Sequence, residues 1–110
     1  MRREVNLDAD FSPVNINLNV PHHSGAIHGL VKNLSCAGLF VGLPVLHRVG
    51  TRFQVRFRID EVLVTFYAIV WRIDLRQELE KPSIFGHGMK ITTISESAMS
   101  LVTRFVEKGF

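Results

Sequence analysis

Asn33 and Ser35 are the residues in this 110-residue chain whose types and spacing could do chemistry together. Two apart on an extended backbone, they point to the same side. The amide brings one acceptor oxygen and two donor hydrogens, and the hydroxyl is a rotatable donor and acceptor. Gly38 closes the polar corner that follows them, and without a Cβ it can take φ > 0 or let another group approach closely. Alone, the stretch 33–38 reads first as a plain polar turn between two strands, and the rest of the chain has to decide. Cationic groups stand at two other places, Arg2-Arg3 near the start and Arg72 beside Trp71. Guanidinium forks suit phosphates and other planar acceptors, while an indole offers a face for stacking.

The remaining reactive side chains form no familiar constellation. Five histidines and a single cysteine, Cys36, show neither Cys-x-x-Cys nor His-Glu-x-x-His spacing, so no metal site is expected. Gly86-His87-Gly88 is too short for a phosphate-cradling loop. No nucleophile elbow and no pair of carboxylates in an apolar setting occurs, so no catalytic residue and no enzyme activity are expected. A lone cysteine makes no internal disulfide and fits a reducing cytoplasm. Glu4, Asn6, Asp8 and Asp10 stand where a signal peptide would be apolar, and the longest apolar run, 62–71, is too short to span a bilayer. A net charge of +3 permits an anionic partner without demanding one. At 46% hydrophobic and 21% charged residues, the composition is that of one globular domain over 1–110.

The elements that must position these groups are short strands. Residues 1–13 read as an N-terminal arm closed by Pro13. Val14, Ile16, Leu18 and Val20 alternate with asparagines, which predicts a half-buried strand, and 21–25 is turn chemistry. Further strands are expected at 26–34, 38–41, 52–59, 62–73 and 85–92, with loops at 42–50 and 75–82 and a tight connection at Asp60-Glu61. The alternation is clearest at 52–59, where Phe53, Val55, Phe57 and Ile59 face one way and Arg52, Gln54, Arg56 and Arg58 the other. Those arginines could be a solvated face, a patch for an acidic protein or a site for single-stranded nucleic acid. A nucleic-acid platform needs aromatics on the basic face, and here they alternate away from it. Ala98, Leu101, Val102 and Phe105 recur at helical spacing, predicting a helix over 93–108 with a Thr93/Glu96 capping box and a stop at Gly109. The expected class is all-β with one C-terminal helix, a six-stranded antiparallel barrel over 14–92.

Asn33-x-Ser35-x-x-Gly38, followed by Leu39-Phe40, resembles the (Asp or Asn)-x-Ser-x-x-Gly signature of the PilZ domain, the bacterial receptor module for cyclic di-GMP. The strand 50–59, the Val70-Trp71 strand end, the strand 86–91 and the closing helix follow the family's order. The resemblance implies a PilZ barrel that binds cyclic di-GMP, uses no cofactor or metal, and passes its signal by contact with a protein partner in motility, adhesion or exopolysaccharide control. It implies that Asn33 and Ser35 hydrogen-bond a guanine, that Gly38 admits the ligand to the backbone, that Trp71 borders the nucleotide and that Arg72 reaches a phosphate. Arg2 and Arg3 resemble the first half of the family's Arg-x-x-x-Arg motif, whose fork matches the O6 and N7 acceptors of guanine. The positions four residues on are Asn6 and Leu7. That departure leaves open a degenerate PilZ fold acting as a protein adaptor without nucleotide. No nucleic-acid partner and no membrane span are expected, and a homodimer stays open.

Overall fold

Alternating apolar and polar residues close this chain into a barrel, with the apolar phase inside. The computed structural model describes residues 2–15, 20–21, 25–74 and 84–108. In chain order the elements are β1 (Arg2–Asn15), β2 (Val20–Pro21), β3 (Ile27–Ser35), β4 (Gly38–Leu43), β5 (Arg52–Ile59), β6 (Val62–Asp74), β7 (Phe85–Thr93) and α1 (Glu96–Lys108). The sheet runs β2-β1-β3-β4-β7-β6-β5, and β1 pairs again with β5. Every neighbour pair is antiparallel. Because β2 only extends β1 at one end, six strands close the antiparallel barrel, as the alternation predicts. Closure leaves few strand edges exposed.

The expected arm at 1–13 is corrected: these residues are most of β1, a barrel strand paired with β3 on one side and β5 on the other. The reason lies in a period-two pattern hidden among charges. Val5, Leu7, Ala9 and Phe11 turn toward the core, while Glu4, Asn6, Asp8 and Asp10 are exposed. A continuous strand over 14–20 is corrected too, since Val14 and Asn15 pair back onto Pro21 and Val20. Residues 16–19, most of the expected turn at 21–25, the loop at 75–82 and the stop at Gly109 lie outside the described residues. The helix begins later than its expected cap. Thr93 belongs to β7, opposite Tyr67. Ser95 caps instead: its Oγ accepts from the Ala98 N–H at 3.2 Å, and its carbonyl accepts from the Met99 N–H at 2.9 Å.

The core is filled by Phe11, Val31, Leu34, Val41, Phe53, Val55, Phe57 and Phe66, all buried. Helix α1 packs against β1, β3, β5 and β6 and buries Val102 and Val106, with Ala98, Leu101 and Phe105 partly covered. Between β5 and β6, Asp60 and Glu61 hold φ of 50° and 68°. A two-residue turn with both φ positive matches the right-handed twist of the strands it joins.

Candidate functional site

Once residues 2–15 form a strand, neighbouring side chains must leave it on opposite faces, and this separates Arg2 from Arg3. Arg2 is exposed and stands opposite Ser35 in the β1–β3 ladder. Arg3 turns to the helix instead. Its Nη1 donates to the Phe105 carbonyl at 2.9 Å, and its guanidinium lies 4.6 Å from the centre of the Phe105 ring.

The corner from β3 to β4 is built by Ser35. Its Oγ accepts from the N–H of Ala37 at 3.2 Å and of Gly38 at 3.1 Å, and donates to the Gly38 carbonyl at 3.2 Å. One hydrogen and two lone pairs are all a hydroxyl has, so Ser35 is fully engaged as the brace of its own turn. Gly38 is required for a reason other than positive φ: a Cβ there would strike the Met89 carbonyl of β7. Asn33 shares the outer side with Ser35, because an extra residue at Lys32 lets both Val31 and Leu34 stay buried. It stands between Glu4 and Phe40 in the ladders, and its Oδ1 is buried without a hydrogen-bond partner among the described residues.

Strand β6 contributes the aromatic wall through a bulge. Val70 pairs with Met89 and Arg72 with Gly88, so Trp71 is the extra residue, and it is 47% exposed. Bulges re-aim side chains in this way. Lys90 Nζ lies 4.8 Å from the centre of the indole and the Arg72 guanidinium 5.3 Å. Gly88 sits beneath them, where a Cβ would come within 2.8 Å of Arg72 Cγ and 3.3 Å of Trp71 Nε1.

These elements meet at a cleft of about 140 Å³. Of the residues singled out in the sequence, Arg2, Ser35, Gly38, Trp71 and Arg72 line it, and Arg3 and Asn33 do not. Lys90, Phe40 and Gly88 line it as well and were not singled out. Lys90 lies on the polar phase of β7, but only the sheet order shows that this phase faces Trp71. Arg2, Arg72 and Lys90 give the cleft three cations, and among the described residues no carboxylate lines it. Such a site suits an anion with a flat apolar face.

The family model of the PilZ domain matches residues 2–108, and the chain belongs to that family. Solved structures agree on the fold. The inhibitor of motility MotI/DgrA of Bacillus subtilis superposes with a TM-score of 0.74 at 15% identity, covering 97% of this chain and 47% of that one. This chain therefore spans about half the length of that relative. The PilZ domain of YcgR from Escherichia coli, solved with cyclic di-GMP, gives 0.69 at 13% identity over 97% of this chain and 86% of its own. The PilZ domain of CeSA from a cellulose-synthesizing bacterium gives 0.64 at 16% identity over 97% and 95%. A search of curated proteins found no significant sequence match.

Proposed function

We propose that this chain is a cyclic di-GMP receptor that hands its signal to a protein partner. The observation that carries the reading is the convergence of Arg2, Arg72 and Lys90 with the Trp71 indole around one cleft that no carboxylate lines among the described residues. A cyclic dinucleotide brings two phosphates and two purine faces. Guanidinium groups can pair with the phosphates or with guanine O6 and N7, and the indole can stack on a base. The cleft is the size of one base, so the rest of the ligand would lie over the exposed surface beside Arg2. Ser35 acts here by holding the corner amides in position. The Oδ1 of Asn33, buried without a hydrogen-bond partner among the described residues, is an acceptor for guanine N–H groups once a rotation of the side chain uncovers it. Because residues 2–13 are already β1, ligand binding does not work by ordering an arm built from them.

In this reading the chain is a cytoplasmic bacterial adaptor in motility, adhesion or exopolysaccharide control, and it needs neither enzyme chemistry nor a metal. Among the described residues no helix is long and apolar enough to cross a membrane. A second reading, a PilZ adaptor that binds no nucleotide, is favoured by one observation: Arg3 is held by Phe105, which leaves Arg2 without an arginine partner on β1.

Calorimetric titration with cyclic di-GMP separates the two. The receptor reading expects micromolar or tighter binding. Charge-assisted hydrogen bonds contribute about 1.5–3 kcal/mol, so Arg2→Ala and Arg72→Ala should each weaken binding by roughly 10- to 100-fold. An absence of heat at high protein concentration gives the adaptor reading. Salt-sensitive binding to oligonucleotides without preference for the cyclic dinucleotide would point to nucleic acid instead.

A further inference from the structure

The barrel closes on a short seam. Strands β1 and β5 share ladder pairs only between Asp10–Pro13 and Phe53–Arg56. Toward the start of β1 the two strands part: β1 continues along β3 through a bulge between Glu4 and Leu7, and Phe57–Ile59 pairs on its other side with β6. A groove of about 640 Å³ opens where they part. It touches five consecutive residues of β1, Asn6 to Asp10, and three consecutive residues of β5, Arg56 to Phe57 to Arg58. Successive residues of a strand point to opposite faces, so a cavity touching consecutive residues runs along the strand edges and not over one face. Its floor is apolar, with Leu7, Ala9 and Phe57. One bank is acidic, Asp8 and Asp10, with His28 between them at 3.3 and 3.5 Å. The other bank is basic, Arg56 and Arg58, and Arg56 Nε is buried without a hydrogen-bond partner among the described residues.

We propose that this groove is a second binding site, separate from the Trp71 cleft, that takes an extended segment of a partner protein as an added strand. Unpaired strand edges are satisfied by main-chain hydrogen bonds from an extended chain, and side chains at alternate positions then choose the partner. Along this groove the inward positions of the guest meet Leu7, Ala9 and Phe57 and call for small apolar residues. The outward positions meet carboxylates on one side and guanidinium groups on the other. The guest therefore carries both acidic and basic side chains at alternate positions, a choice that charge complementarity makes against a uniformly charged peptide. The site stands on the seam geometry alone and does not depend on nucleotide binding.

A displayed library of random dodecapeptides panned against the full chain tests this, followed by hydrogen exchange with one synthesised winner. The expected winners alternate small apolar with oppositely charged residues. Binding should slow exchange at amides within 6–9 or 57–59. Arg58→Glu and Asp8→Lys should each weaken binding at least tenfold while leaving the thermal midpoint within a few degrees, because both side chains are exposed. Restoring affinity by reversing the matching charge on the peptide is a further supporting result. No enriched peptide, protection confined to other strands, or affinity unchanged in both variants would overturn the proposal. So would slowed exchange at these edges caused by self-association of the chain without peptide, which would make the occupant a second copy.

Discussion

Lowering the pH from 7.5 to 5.5 should destabilise this protein through a histidine that the candidate cleft does not use. His87 is fully buried on β7. Its Nδ1 donates to the Phe85 carbonyl at 2.9 Å, which makes Nε2 the acceptor for the His47 N–H at 2.9 Å. This neutral tautomer ties the β4–β5 loop to the sheet, and the His47 ring packs edge-on against Phe53. Burial holds His87 below its ordinary value of 6.5; the bond to Phe85 opposes that, and neighbouring His47 adds to it. His47 is lowered by burial as well. Above pH 6.5 both folded and unfolded chains carry neutral rings, and the bonds contribute fully. Below it the unfolded chain takes up the proton first, so stability falls as pH drops toward the folded value. For a single proton the slope is at most about 1.4 kcal/mol per pH unit, so His87 can cost up to about 1.4 kcal/mol by pH 5.5. His47, partly open to solvent, adds less. Urea unfolding at the two pH values reads this directly. His87→Leu should cost about 2–4 kcal/mol at pH 7.5, since it leaves the His47 N–H and the Phe85 carbonyl unpaired, and should flatten the pH dependence. Equal wild-type midpoints at both pH values, or the same drop in His87→Leu, would refute the reasoning.

Two other substitutions probe the placement of the site and the closure of the barrel. Arg3→Ala should lower stability by about 1–2 kcal/mol by urea unfolding, through loss of the bond to the Phe105 carbonyl and the contact with its ring. Cyclic di-GMP affinity should stay within twofold of the parent; a loss as large as that of Arg2→Ala would show that both arginines reach the ligand. Glu61→Gly should raise stability by about 0.5–1 kcal/mol, because a φ of 68° suits glycine better than a residue with a Cβ. A lower urea midpoint in that variant would mean that the Glu61 side chain carries weight in the turn.

Strand β5 and helix α1 were legible because their burial is periodic and local. At 52–59 the apolar phase names the inner face without any knowledge of the partners, and at 98–105 the helical spacing does the same. β1 was not legible, because charged residues fill its outer phase and its apolar phase runs only through small and medium side chains until Phe11. What made it a strand is pairing with β3 and β5, which lie far along the chain. The same limit governs the site. The stretch Asn33 to Gly38 announced a corner, and Trp71-Arg72 a strand end with chemistry.

Residue types and spacing alone determined the family resemblance, the inward phase of most strands and the docking face of the helix, since each depends on neighbours along the chain. Tertiary structure decided the rest. It split Arg2 from Arg3 across the two faces of β1, spent the Ser35 hydroxyl on its own turn, brought Lys90 to Trp71 and opened the seam between β1 and β5. Each of these depends on which strand lies beside which and in what register, and a one-residue slip in that register reverses every face.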